Sequence, residues 1–194
     1  MQLRNLHFFA GLKAGMSIAI GYFPVALTFG LLAKTSGLSI VEATAMSMFV
    51  YAGASQYVSL TFISKGVDPI VIVLNTFILN IRHFLMSAAL NEKMAHASKW
   101  TKGLFAFWVT DETFSVLATR KEDQLPMSFG FGVNLMAYSS WVSFTAVGHL
   151  IGAICRCFCK RLCRLRYTPC LSDFSYRRCV IIEKLSYLHS LRLF

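Results

Sequence analysis

Long apolar stretches dominate the sequence, and short polar stretches rich in Gly, Ser, Lys and Asn separate them. A helix that crosses a bilayer needs ~20 mostly apolar residues to cover hydrocarbon that is ~30 Å thick. Most of the apolar stretches reach or approach this length. The pattern therefore predicts an all-α, polytopic membrane helix bundle with about five spans, at 14–33, 43–64, 69–90, 103–119 and 127–154.

Polar side chains recur at helical spacing inside three of these predicted helices. In the second they are Thr44, Ser47, Tyr51, Ser55 and Ser59, three or four residues apart and so on one helix face. Similar stripes occupy 17–28 and 134–145. Small and hydroxylated residues allow close helix packing, but three polar faces in one bundle can also enclose a hydrated path. Both interpretations stay open at this point.

Two features predict interrupted helices. The run Gly53, Ala54, Ser55 and Gln56 combines small residues with an amide, which lets a substrate approach the backbone or lets the helix unwind. Pro24 removes one backbone donor from the first predicted helix. Broken helices near the membrane midplane bind substrates in many transporters. We therefore treat all five residues as candidates for a substrate path.

Ionisable side chains lie within the predicted spans, where a charge costs at least ~2.5–3.5 kcal/mol on insertion scales. Asn80, Arg82 and His83 lie in the third span, and Asp111 and Glu112 lie in the fourth. Asp111 could pair with Arg82 and simply join two helices. Intramembrane charges are more often functional, so we expect these residues to bind substrate or to carry a coupling proton. His83 could relay protons or serve only in packing.

The composition supports the membrane class and reveals a discontinuity. Of 194 residues, 56% are hydrophobic and 14% are charged, whereas soluble domains carry about 25% charged residues. The net charge of +10 is unevenly distributed, with +3 in residues 1–154 and +7 in residues 155–194. All six cysteines also follow Ile154. Two different compositions therefore meet at this residue, and we predict a permease region at 1–154 and a separate tail at 155–194.

Motifs typical of soluble enzymes, such as a Walker loop, a GxSxG elbow or HExxH, are absent from the sequence. We therefore expect a protein that is not an enzyme and needs no cofactor, metal or nucleic acid. The basic residues do not determine an orientation, since five flanking charges on one side oppose four on the other if every predicted span crosses.

Three motifs in order resemble the AzlC family of branched-chain amino-acid permeases. They are Gly53-Ala54-Ser55-Gln56, Asn80-Ile81-Arg82-His83 and Thr110-Asp111-Glu112-Thr113-Phe114, and the likeness covers about residues 7–154. The resemblance implies a multi-pass bacterial inner-membrane exporter of branched-chain or related neutral amino acids. It also implies a small membrane partner of the AzlD type.

The tail departs from that resemblance, because Cys155-Arg156-Cys157-Phe158-Cys159 stands where an apolar helix is expected. A lost base after the codon for Ile154 would explain the change. Cys and Phe codons then decode to apolar residues and Arg codons to small ones, and one permitted decoding of 155–179 is a Pro-led hydrophobic helix. We therefore expect a frameshifted, truncated permease with little or no transport, and sequencing of the gene tests this.

Three alternatives remain from the sequence alone. The polar stripes could line a passive channel, which saturable efflux would argue against. The cysteine tail could handle a metal, because thiolates bind zinc and copper. An intramembrane enzyme could use His83, Asp111 and Glu112 as acid and base groups.

Overall fold

The computed structural model describes residues 2–120 and 125–165. They form seven α-helices and one 3-10 turn, which confirms the predicted all-α fold. The elements are α1 (Gln2–Thr35), α2 (Ile40–Phe49), α3 (Gly53–Ser64), α4 (Pro69–Asn91), the 3-10 turn (Glu92–Met94), α5 (Lys99–Phe107), α6 (Asp111–Ala118) and α7 (Met127–Leu165).

Helices α1 and α7 run parallel and in close contact, and together they form the platform of the bundle. Gly11 lies against the backbone of Phe129, and Gly30 lies against the backbone of Thr145, so that a Cβ at either glycine would collide. Glycine permits this approach of two helix backbones. We call the end of the bundle where α1 begins the proximal end, and the end where α1 finishes the distal end.

The predicted break at Pro24 is wrong, because α1 is one helix of 34 residues that passes through it. A proline costs a helix one hydrogen bond and crowds the preceding turn. The glycine contacts with α7 lie on both sides of Pro24 and hold the two halves of α1 in line. Packing on a neighbouring helix therefore outweighs the local preference.

Helix α2 starts at the distal end and runs towards the middle of the bundle, antiparallel to α7. Its start is fixed by Ser39, whose backbone N–H and hydroxyl both donate to the Glu42 carboxylate. These bonds lower the pKa of the Glu42 carboxyl. Further along, Ser47 Oγ lies 3.0 Å from Thr145 Oγ1, and Tyr138 donates to the carbonyl oxygen of Met48 at 3.2 Å.

Helix α3 returns to the distal end. It begins beside Trp141, whose ring would touch a Cβ at Gly53. It then brings Leu60 into a buried cluster with Phe29 and Ala33, near the end of α1. The chain therefore enters and leaves at the same end, and we call residues 40–64 the α2–α3 pair.

Helix α4 runs from the distal to the proximal end, and the chain then makes a second reversal. Lys102 at the start of α5 donates to Asn91 at the end of α4. The ammonium group of Lys93 donates to the carbonyl oxygens of Ala118 and Arg120 at 2.8 Å each, just beyond α6. Both ends of the segment thus lie at the proximal end, and we call residues 99–118 the α5–α6 pair.

Two predicted spans are therefore not continuous helices. Residues 43–64 and 103–119 each contain a break, at 50–52 and 108–110, and the chain reverses there. Helices α2 and α3 have 10 and 12 residues, which is ~15–18 Å at 1.5 Å per residue and about half the hydrocarbon thickness. Among the described residues, Asn5–Thr35 and Pro69–Met94 are long and apolar enough to cross a membrane.

Candidate functional site

A cavity of about 390 Å³ lies in the middle of the bundle, where the two pairs reverse. Small-molecule sites commonly have volumes of ~300–1,000 Å³. The cavity is lined by residues from α1, both pairs, α4 and α7. Six of the candidates named from the sequence line it: Gly53, Ala54, Arg82, His83, Asp111 and Glu112.

Two helix N-termini face this cavity from opposite sides. Helix α3 starts at Gly53 and runs to the distal end, and α6 starts at Asp111 and runs to the proximal end. The first amides of a helix have no partner within it, and the helix dipole places partial positive charge there. Both helices therefore direct positive potential at the same small volume.

The two N-termini differ in how they are capped. Thr110 caps α6 through a reciprocal capping box with Thr113, and two acidic residues occupy its first turn. Helix α3 follows Ala52, which provides no side-chain cap. The amides of Gly53 and Ala54 thus remain available to an anionic group, whereas the start of α6 already carries its own negative charge.

Arg82 and Asp111 form an ion pair in the cavity wall. Arg82 Nη1 lies 2.7 Å from Asp111 Oδ2, and the two side chains remain 39% and 38% exposed. Because both side chains line the cavity and remain partly exposed, a charged ligand that enters the cavity can compete with either partner. This ion pair confirms the predicted pairing of Arg82 with Asp111, and it joins α4 to α6.

Tyr22 links α1 to the first turn of α6. Its hydroxyl donates to Glu112 Oε2 at 2.6 Å and lies 2.8 Å from Thr110 Oγ1. These hydrogen bonds hold Glu112 at the cavity. Among the described residues, Glu112 forms no ion pair. Neither Tyr22 nor the capping role of Thr110 was predicted, although a Thr followed by acidic residues is a helix-start signal.

Behind the cavity, buried polar side chains join three helices. Trp141 donates through Nε1 to Gln56 Oε1 at 3.0 Å. Gln56 donates in turn to Ser47 Oγ at 3.2 Å, and Ser47 contacts Thr145. Trp141 also lines the cavity and packs edge-on against Tyr22 with ring centroids 5.0 Å apart. The network therefore holds Trp141 in its position in the cavity wall.

Several candidates lie away from the cavity lining. Ser55 and Gln56 are fully buried behind it, and Ser55 donates to the carbonyl oxygen of Ala52. Asn80 lies on α4, and its Oδ1 is buried without a partner among the described residues. Pro24 lies inside α1, where its carbonyl oxygen accepts a bond from Thr28. The lining does include a backbone feature that the sequence did not indicate, Tyr51 with φ of +38°.

No group of three or more His, Cys, Asp or Glu side chains that could hold a metal occurs in the part of the chain that the structure describes. Cys155 is exposed, and the predicted tail beyond Leu165 lies outside the described residues.

Comparisons with known proteins identify relatives that cover most of the chain. An uncharacterized membrane protein of Archaeoglobus fulgidus is 37% identical over 154 residues, which cover 77% of this chain and 65% of the relative. The inner membrane protein YgaZ of Escherichia coli K12 is 31% identical over 150 residues, covering 75% and 61%. The branched-chain amino acid transport protein AzlC of Bacillus subtilis 168 is 25% identical over 141 residues, covering 70% and 54%.

The chain thus spans less than two thirds of the length of these relatives. No solved structure matches it. The relatives' names place this chain among membrane proteins. A family model described as AzlC protein matches residues 17–155, which is more than half of the chain. The chain therefore belongs to the AzlC family.

Proposed function

We propose that this chain forms the substrate-carrying subunit of a transporter that exports branched-chain or related neutral amino acids across a bacterial inner membrane. The transport name of the Bacillus subtilis relative supports this substrate class. A small membrane subunit of the AzlD type completes the transporter. The protein acts as a carrier and not as an enzyme.

The observation that carries the proposal is that one cavity is lined by groups of both charge signs. A neutral amino acid has a carboxylate and an ammonium group close together. The free amides of Gly53 and Ala54, with Arg82 nearby, suit the carboxylate. Asp111 and Glu112 suit the ammonium group.

The cavity also has an apolar wall for the side chain of the substrate. Val25 from α1 and Val58 from α3 line it together with the ring of Trp141. A small aliphatic side chain buried there gains ~0.8 kcal/mol for each CH₂ group removed from water. A charged side chain would lose its hydration without a partner on this wall.

Three membrane crossings accompany the two half-length pairs in this proposal. Helices α1 and α4 meet the length and composition for crossing. Helix α7 lies parallel to α1 and in register with it from Gly11–Phe129 to Gly30–Thr145, so α7 passes through the same thickness. The cavity then lies near the midplane, and alternating access exposes it to each side in turn.

The primary test is binding of radiolabelled L-valine to the purified full chain in detergent, because the change of sequence after Ile154 predicts little or no transport. Efflux from cells that lack other exporters is measured beside it. The Bacillus subtilis relative serves as positive control for efflux. We expect saturable binding that Arg82→Leu reduces at least tenfold, while Lys65→Leu, in the turn between α3 and α4, leaves it unchanged. Absence of L-valine binding by a folded chain would contradict the proposal, and unsaturable flux would favour a channel.

A further inference from the structure

We propose that the α5–α6 pair is the moving gate of the central cavity, whereas the α2–α3 pair is a fixed part of the α1–α7 platform. The identity of the molecule that passes the gate rests on the proposed function. The inference of a gate depends on the different ways in which the two pairs are attached.

The α2–α3 pair is attached by neutral, buried hydrogen bonds. Gln56, Ser47 and Thr145 are fully buried, and they connect α3 and α2 with α7. Tyr57 adds a bond of 2.7 Å to the carbonyl oxygen of Val25 in α1. Breaking any of these bonds would leave a buried polar group without a partner, which costs ~1–3 kcal/mol each. This pair therefore stays in place.

The tip of the α5–α6 pair is attached at the cavity through two carboxylates, and through Thr110, whose Oγ1 lies 2.8 Å from the Tyr22 hydroxyl. Asp111 binds Arg82 of α4, and Glu112 accepts from Tyr22 of α1. The Arg82 and Asp111 side chains are 39% and 38% exposed and line the cavity. Water or a charged ligand in the cavity can replace either partner, so the carboxylates can exchange partners without a buried group being left unpaired.

The base of the α5–α6 pair is held more firmly than its tip. Lys93 binds the carbonyl oxygens of Ala118 and Arg120, and Leu125 donates its backbone N–H to the carbonyl oxygen of Lys93. Elsewhere α5 and α6 contribute buried apolar side chains to the main core cluster, but they pack less closely on neighbouring helices than α2 and α3 do. The pair is thus anchored at the proximal end, which is where a tilt of the pair would hinge.

The same groups that hold the tip are those that face a bound amino acid. A substrate ammonium group that binds Asp111 or Glu112 competes with Arg82 and Tyr22 for these carboxylates. A ligand shifts a conformational equilibrium by its difference in affinity for the two states. Occupancy of the cavity therefore changes the position of the α5–α6 tip and opens the cavity towards the proximal end.

The chain offers matched positions for a test. Phe49 and Phe107 are the last residues of α2 and α5, each next to the tip of its pair, and they are 76% and 49% exposed. Ile20 on α1 is 70% exposed and serves as the fixed reference. All native cysteines follow Ile154, so replacing them with serine allows spin labels at Phe107 with Ile20, or at Phe49 with Ile20.

Distances between the labels are measured by double electron–electron resonance in lipid vesicles, with Glu112 intact and as Glu112→Gln. We expect the 107–20 distance to shift or broaden by ~5 Å, comparable to one helical turn, and the 49–20 distance to stay the same. No shift in either distance, a shift at Phe49 alone, or equal shifts in both would overturn the inference.

Adding L-valine to the intact labelled chain separates this inference from the proposed function. If Glu112→Gln moves the 107–20 distance while L-valine neither binds nor moves it, the gate stands and the amino-acid function fails. If L-valine binds but neither L-valine nor Glu112→Gln moves that distance, the function stands and the gate fails.

Discussion

The hydroxyl of Tyr22 and a carboxylate oxygen of Glu112 lie 2.6 Å apart, and this short bond joins the α1–α7 platform to the α5–α6 pair, the proposed gate. Tyr22 belongs to α1, which is locked to α7 by glycine contacts on both sides of it. Glu112 lies in the first turn of α6, at the tip of the α5–α6 pair. The bond is therefore present when the tip of the α5–α6 pair contacts the platform, and it is broken when the tip moves away.

Removing the Tyr22 hydroxyl should weaken this attachment. Tyr22→Phe keeps the ring that packs on Trp141 but removes the donor to Glu112. Hydrogen bonds to charged groups contribute ~1.5–3 kcal/mol, so we expect a lower free energy of unfolding by about that amount. Chemical unfolding in mild detergent, followed by tryptophan fluorescence, measures it.

Tyr57→Phe is the matched control, since Tyr57 donates to a neutral carbonyl oxygen. We expect it to lower stability less than Tyr22→Phe and to leave the 107–20 label distance unchanged. An equal loss from both variants would show that the Glu112 carboxylate adds nothing to the bond.

Gly53→Ala should disturb the cavity through Trp141. A Cβ at Gly53 would lie 2.9 Å from Trp141 Cη2, at the far end of the indole, so the ring must move from its bond with Gln56. We expect weaker L-valine binding, whereas Gly21→Ala, which also lines the cavity but has open space around it, should bind normally.

A second substitution checks the cause of this effect. Trp141→Phe removes the atom that the new Cβ would meet, so Gly53→Ala combined with Trp141→Phe should bind better than Gly53→Ala with Trp141 intact. If the double variant binds L-valine no better, the loss of binding in Gly53→Ala comes from a change in the α3 backbone and not from displacement of the indole.

Hydropathy alone located the apolar stretches, and the Asn80–His83 and Thr110–Phe114 motifs pointed to parts of the cavity wall. Hydropathy could not show that the chain reverses at 50–52 and 108–110. An apolar run of 22 residues has the same hydropathy whether it forms one spanning helix or two short helices that fold back on each other. A local signal was present for the second reversal only. Thr110 with its acidic neighbours marks the start of α6, whereas α3 follows Ala52, which provides no side-chain cap.

Tyr22 illustrates what the sequence could not supply. It occurs in an apolar stretch with no polar neighbour at helical spacing that would single it out, and its partner Glu112 lies 90 residues away. Only the register of α1 against α7 and the position of the α6 tip bring the two side chains together. Pro24 shows the opposite case, in which a strong local signal is overridden by tertiary packing.

Asn134→Leu should stabilise the fold. Asn134 is fully buried in α7, and neither polar atom of its amide has a partner among the described residues. Replacing an unsatisfied buried polar group with an apolar one of similar size recovers ~1–3 kcal/mol. We expect a higher melting temperature in detergent, with Ser139→Ala, exposed on the same helix, as a near-neutral control. A lower melting temperature would indicate that Asn134 has a bound water or another partner.

The reversal of the two helix pairs also changes which basic residues lie at each end of the bundle. With three crossings, Arg4, Lys13, Lys93, Lys99, Lys102 and Arg120 lie towards the proximal end, and Lys34, Lys65, Arg156, Lys160, Arg161 and Arg164 lie towards the distal end. Basic residues near helix ends favour the cytoplasmic side. The count is six at each end, so the basic residues of the described segments do not determine the orientation.

Membrane-impermeant maleimide can determine the orientation in intact cells, using the chain with its tail cysteines changed to serine. With three crossings, one of Lys65→Cys and Leu6→Cys should react from outside and the other only after permeabilisation; reaction of both from outside would contradict three crossings. If Leu6→Cys is the protected position, the α5–α6 pair opens to the cytoplasm, and the side chains of Tyr22 and Glu112 control entry from the cell interior. If Lys65→Cys is protected, the same two side chains control access from outside the cell.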